Sequence, residues 1–156
     1  MIRNGKALLR DAPIANMLTY KKRHNDDPKG ISYGLTECGY DIRLKQGMWL
    51  FLGRRFRLGS SMEYFNLPKH LMGRVLNKST WARRGIDASM TTNIEPGWCG
   101  WLTIEISYKK WWPIYIPAGV GICQVIFETL EEQACYQGKY ANQPDHPVEA
   151  IFGDTP

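Results

Sequence analysis

The sequence predicts a mainly β protein, folded as an antiparallel sandwich or barrel. From Ile31 onward, the short runs YDIRL, WLFL, EYFNL, GRVL, WLTIEI, WPIYI and GICQVIF are rich in the β-branched and aromatic residues that suit a pleated surface. Gly, Pro and Asn breakers separate them. Little helical periodicity lies between the runs, so crossover helices and a parallel sheet are not expected.

The N-terminal stretch GKALLRDAPIANMLTY reads as a short helix, or a helix and a turn, with Pro13 near a helix start. A polar loop rich in Lys, Asn, Asp and Pro follows. The clearest exception to the β pattern is NKSTWARRG, residues 77 to 85. There Asn77 or Ser79 suits the cap of a helical turn, Ser79 and Arg83 stand four apart on one face, and Gly85 ends the turn. In WLTIEISY, residues 101 to 108, alternation sends Leu102, Ile104 and Ile106 to a core face and Thr103, Glu105 and Ser107 to the other. A lone Glu on such a face is ordinarily a solvated residue.

The chain has 156 residues, 44% hydrophobic and 22% charged, which suits one compact domain spanning 1–156. No repeat or low-complexity tract divides it. MIRNGKALLR is charged throughout and lacks the apolar run of an export signal, and no stretch is apolar enough to span a bilayer. A cytoplasmic protein with no membrane partner is therefore expected, in the host cytoplasm if the chain is virus-encoded. Cys38, Cys99, Cys123 and Cys135 show no paired spacing and read as reduced thiols, two of them within strands. His24, His70 and His146 are equally scattered, so no metal site built from side chains is expected. The net charge of +5 falls in short groups, KKRH at 21–24, GRR at 53–55 and ARR at 82–84, separated by core sequence. That pattern reads as a solvated basic surface with no nucleic-acid partner, and phosphate binding is the next reading.

A helical turn opened by Lys78, Ser79 and Thr80 offers free backbone N–H groups, two hydroxyls and an ammonium in one place, which is what a polyphosphate needs. The turn is followed by TTNIEPGWCG and then by the strand bearing Glu105. With SYGLTECGYDIRL (32–44), SMEYFNLPKHLMGRVLNKSTWARRGI (61–86), TTNIEPGWCGWLTIEI (91–106), PAGVGICQVIF (117–127) and YQGKYANQ (136–143), the chain closely resembles the dCTP deaminases of the dUTPase superfamily. That resemblance implies a distorted β-barrel or jelly roll with a short N-terminal helix and one helical turn at the nucleotide site. It also implies zinc-independent hydrolysis of dCTP to dUTP and ammonia, supplying dUTP for thymidylate synthesis.

Residue by residue, the resemblance implies Lys78, Ser79, Thr80 and Arg83 as ligands to the phosphates and the reacting base. Glu105 is implied as the general acid/base, assisted by Ser79 and Arg83. Glu95 aligns with an acidic residue near the deoxyribose. Thr92 and Thr103 fall at the substrate, and Tyr136, Lys139 and Gln143 fall in a C-terminal segment, about 130–156, that covers the triphosphate. Mg²⁺ travels on the triphosphate, the assembly is a homotrimer with sites between subunits, and dTTP is a candidate inhibitor. Deamination at C4 needs a proton taken from water, a proton given to N3 and a protonated leaving amine, and one carboxyl group near neutrality serves all three. The H-x-E and P-C-x-x-C signature of zinc deaminases is missing.

The chain also departs from the family. It is shorter between DIRL and GRRFRLGSSMEYF, and again between Tyr136 and Lys139. Thr92 stands where relatives carry Ala or Pro, and Lys78 where several carry Arg, whose fork Lys does not reproduce. The rival readings are a bifunctional deaminase/dUTPase yielding dUMP and pyrophosphate, a non-catalytic nucleotide sensor, and a nucleic-acid-binding barrel. The tail QPDHPVEAIFGDTP has no glycine-rich arm of the dUTPase kind.

Overall fold

A computed structural model of the chain describes residues 1–153; residues 154–156 of the expected covering segment lie outside the described residues. The elements run β1 (Ile2–Arg3), α1 (Gly5–Asp11), β2 (Lys21–Arg23), β3 (Ser32–Leu35), β4 (Tyr40–Arg43), β5 (Met48–Leu50), β6 (Phe56–Asn66) and β7 (Leu71–Asn77). Then come α2 (Ser79–Ala82), β8 (Ile86–Asp87), β9 (Asn93–Ile94), β10 (Cys99–Tyr108), β11 (Ile114–Ile116) and β12 (Gly121–Thr129). Each of the seven β runs read from the sequence contributes a strand.

All strand pairings are antiparallel. One sheet is ordered β2-β3-β4-β12-β7-β9, with β1 added beside the end of β12. A second sheet is ordered β6-β10-β8, and β11 pairs with β5 as a separate ribbon. The stretch between β4 and β6, short in sequence, holds only β5 and its turn. Leu102, Ile104 and Ile106 of β10 join Phe65, Ile42, Val125 and Phe127 in one buried cluster. Each such side chain contributes about 1.5–3 kcal/mol by leaving water. The alternation predicted for β10 is present: Glu105 and Ser107 are half-buried on the opposite face, and Thr103 is covered by the C-terminal segment.

Two local expectations are corrected. Pro13 follows α1 and does not start it. A proline disfavours helical backbone at the residue before it, and Ala12 instead turns left-handed at φ 44°, its N–H bonded to Leu8 O at 3.0 Å. Neither Asn77 nor Ser79 caps α2 through its side chain. The Asn77 amide is committed elsewhere, donating to Asp87 at 3.0 Å and accepting from the Ala88 N–H at 2.7 Å. The turn is held instead from within, by the Trp81 indole donating to Gly121 O at 2.8 Å. Its end is as expected: Gly85, at φ 88°, bonds back to Ala82 O at 2.9 Å.

β6 carries an irregularity that fixes β10. Its partners fall from Tyr64 to Ser60 while β10 advances only from Trp101 to Thr103. The surplus residues let the Ser61 hydroxyl accept the Leu102 N–H at 2.9 Å and send Glu63 to Arg43 of β4, with a 2.7 Å ion pair. The catalytic candidate thus sits on a strand tied to its neighbours on both sides.

Candidate active site

Glu105 lies on the floor of a cavity of about 400 Å³, a size suited to one small ligand. The walls are largely apolar or aromatic, with Phe56, Leu58, Ile94, Trp98, Tyr136 and Tyr140 among them. Thr92, Glu95, Thr103, Tyr136 and Gln143, all expected at the substrate, line the same cavity. β10 supplies Glu105 and Thr103. The segment between β8 and β10 supplies Thr92 and Glu95, and the C-terminal segment closes the far side.

The Glu105 backbone is pinned by its N–H, which donates to the Thr91 hydroxyl at 2.9 Å. Thr91 ends a short 3₁₀ turn, Ser89–Thr91, and the next residue, Thr92, adopts φ 55° and ψ −107°. A β-branched residue at positive φ is strained. Thr92 is kept there by hydrogen bonds from its own N–H to Ser89 O and from Val75 N–H to Thr92 O, 3.2 and 2.8 Å long.

The C-terminal segment is sewn along β10. Gln143 accepts the Trp101 N–H with its backbone oxygen at 3.2 Å and the Thr103 N–H with its side chain at 3.0 Å. The Thr103 hydroxyl accepts the Val148 N–H at 3.0 Å. This approach requires Gly100: at φ 134°, a β-carbon there would meet Gln143 N at 2.6 Å. Lys139 lies outside the cavity in an adjoining cleft with His146. Tyr140, Gln143, Val148 and Glu149 form the wall between the two.

Among the described residues the cavity holds three carboxyl groups, Glu95, Glu105 and Glu149, and no Lys, Arg, His or Cys. Burial raises the Glu105 pKa above the ordinary value, toward the range an acid/base needs. Burial would raise this pKa and a neighbouring Arg83 would lower it; within one chain desolvation is the influence present, and Arg83 is not among the lining residues. Lys78, Ser79, Thr80 and Arg83 stand apart from the cavity on α2 and its flanks. There Ser79, Thr80 and Arg83 are exposed, while the Lys78 ammonium is held by Asp41.

Two of the three basic groups that look scattered along the chain are brought together beside α2, while KKRH stays on β2 and the residue after it. Lys109 N–H bonds Gly85 O at 2.8 Å and Tyr108 N–H bonds Arg55 O at 2.8 Å, which joins ARR, GRR and the Lys109–Lys110 pair at one edge. Exposed Trp111, Trp112, Phe51 and Phe56 lie on the same stretches.

A family model described as dCTP deaminase-like matches residues 42–130. The chain belongs to that family. It is 36% identical over 146 residues to a dCTP deaminase of Roseiflexus castenholzii, covering 72% of this chain and 79% of that one. It is 30% identical over 161 residues to a dCTP deaminase of Anaplasma phagocytophilum, covering 82% and 86%. The fold is dUTPase-like. It matches a dUTPase from phage phi11 of S. aureus, with TM-score 0.54 and 15% identity over 67% of this chain and 84% of that one. It also matches the dCTP deaminase of Agrobacterium tumefaciens, with TM-score 0.51 and 21% identity over 60% of this chain and 38% of that one.

Reading from sequence missed Thr91, Tyr140, Val148 and Glu149. Tyr136 and Tyr140 recur at a four-residue interval that hints at a shared surface. Nothing in the sequence marks Thr91 or Val148, because their partners are backbone N–H and hydroxyl groups far along the chain.

Proposed function

We propose that the protein is a dCTP deaminase in which Glu105 is the general acid/base of a zinc-independent hydrolysis. The observation that carries this reading is a half-buried carboxyl, raised by burial and without a cation in contact, on the floor of a mostly apolar cavity of nucleobase size. Membership of the family and the many relatives named dCTP deaminase support the substrate. A donor set without His or Cys supports chemistry at the base that needs no protein-bound zinc.

Glu105 takes a proton from water as the water oxygen bonds to C4, and gives that proton to N3. It then takes the remaining proton of the C4 hydroxyl and delivers it to the amine, so that the C4–N bond breaks, ammonia leaves and the C4 carbonyl forms. The product dUTP retains its triphosphate. Thr103 and Glu95 hold the sugar side, and Tyr136 and Gln143 cover the nucleotide. Lys139 in the adjoining cleft meets the triphosphate of the Mg²⁺–dCTP substrate.

A cavity with three carboxyl groups and no basic side chain needs cations from elsewhere to accept a triphosphate. The exposed α2 turn is the matching half, and a homotrimer in which one copy's Ser79, Thr80 and Arg83 face another copy's Glu105 supplies them. The exposed basic and aromatic edge beside α2 supports such an interface, since Arg and Trp are enriched in contact surfaces.

The test is incubation with dCTP and Mg²⁺ and chromatography of the products. dUTP with ammonia is expected. dUMP with pyrophosphate marks a bifunctional enzyme, and unchanged dCTP sinks both readings.

A further inference from the structure

α2 has an outward and an inward side. Ser79, Thr80, Ala82 and Arg83 are exposed, whereas Trp81 is buried and Lys78 nearly so. Trp81 anchors the turn to β12 through Gly121 O. Lys78 reaches past β12 to the next strands of the same sheet, where its ammonium pairs with Asp41 of β4 and donates to the Ser32 hydroxyl of β3 at 3.1 Å.

The exposures of the two charged side chains, 11% for Lys78 and 4% for Asp41, show that the pair is internal. Lys78 is the one cation in ion-pair contact with Asp41 among the described residues. A lysine that serves a phosphate keeps its head group in water while its stem lies along the protein. This one does the reverse, with two of its three donors spent inside.

We propose that Asp41 is a positioning residue for the nucleotide turn, acting through Lys78, whose ammonium is an internal anchor and not a phosphate ligand. The inference rests on the reading of α2 as half of the dCTP site. Asp41 lies 37 residues before Lys78 in the chain. Through the anchor it sets where Ser79, Thr80 and Arg83 are presented, and leaves Arg83 and Arg84 as the exposed cations of the turn.

The experiment compares the unaltered protein with Asp41→Asn, Lys78→Met and the double variant. Hydrogen exchange is read over residues 78–85, and dCTP affinity is read by calorimetry in Mg²⁺. Each single variant is expected to speed exchange in 78–85 while β10 stays protected, and to weaken dCTP about tenfold. The double variant, which removes both buried charges together, is expected to bind no more weakly than the weaker single. Lys78→Arg keeps a cation for Asp41 and is expected to hold affinity within about threefold.

If Lys78→Met weakens dCTP by the same factor whether residue 41 is Asp or Asn, Lys78 is a direct ligand and the proposal is overturned. Unchanged exchange and affinity in Asp41→Asn overturn it as well. Where the single variants do not fold, the double decides: faster exchange with weaker dCTP binding supports the anchor, and an unaltered profile removes it. An unaltered protein that binds no dCTP overturns the nucleotide reading, while the exchange data still decide the anchor.

Discussion

Among the described residues, the cavity of Glu105 holds three carboxyl groups, its own included, and no basic side chain, whereas the α2 turn shows Ser79, Thr80 and Arg83 to solvent. The first region is enclosed, largely apolar and short of cations. The second is open, polar and rich in them. Each has half of what a nucleoside triphosphate needs, an apolar slot for a base and donors for phosphate, and one chain does not bring the halves together. Their separation makes the assembly part of the proposed chemistry.

The largest expected effect breaks the enclosed half. Glu105→Gln keeps the shape and removes the proton carrier, so kcat is expected to fall by about 10³-fold or more while dCTP binding stays measurable. Ammonia release at the unaltered rate would remove Glu105 from the mechanism.

Breaking the open half with Arg83→Ala is expected to cost about 10²-fold or more in kcat/KM, as loss of a charged donor at a reacting centre does. Mixing that variant with Glu105→Gln then sharpens the comparison. If sites form between copies, random trimers carry both intact residues at about a quarter of their sites, and activity returns toward that fraction. Mixtures as inactive as their components would place both halves within one chain.

A smaller effect concerns the closing segment. Gly100→Ala drives a β-carbon against the Gln143 backbone and is expected to cost about 1–3 kcal/mol of stability. KM for dCTP should rise more than kcat falls, since the cover and not the acid is displaced. Steady-state kinetics beside thermal melting would show it.

The pH dependence of stability follows from the direction of the Glu105 shift. Its folded pKa lies above its ordinary value of 4.5, so its favourable contribution is full below that value and is lost as pH rises through the folded pKa. The Tm of Glu105→Gln is therefore expected to gain on that of the unaltered protein between pH 4 and pH 7. A gap that stays constant would mean the carboxyl is not desolvated.

The smallest expected effect is at Thr92. Replacing it with glycine relieves the positive-φ strain but adds backbone freedom to the unfolded chain, for a net gain of about 0.5 kcal/mol by denaturant melting.

Much of the β framework was legible in sequence because alternation and breakers are local. The seven runs became strands, and the face assigned to Glu105 followed from a period of two. The caps were not legible. Asn77 has the right chemistry for a helix start, but the nearby Asp87 and Ala88 take its amide. Pro13 was misread because proline suits both ends of a helix, and only the left-handed Ala12 shows which end it marks. GRR and ARR lie far apart along the chain, and only the ends of β10 and β6 bring Lys109 and Arg55 to the edge of α2.

By itself the sequence determined an antiparallel β protein, the family to which it belongs, and the residue types a nucleotide site would need. Local periodicity and co-linear motifs are properties of chain order and need no contacts to be read. Only the tertiary structure decided that Glu105 is half-buried beside other carboxyl groups, that Thr91 and Gln143 hold its strand, and that Lys78 turns inward to Asp41. Those outcomes depend on which distant segments pack together, because desolvation and hydrogen bonding are set by neighbours in space.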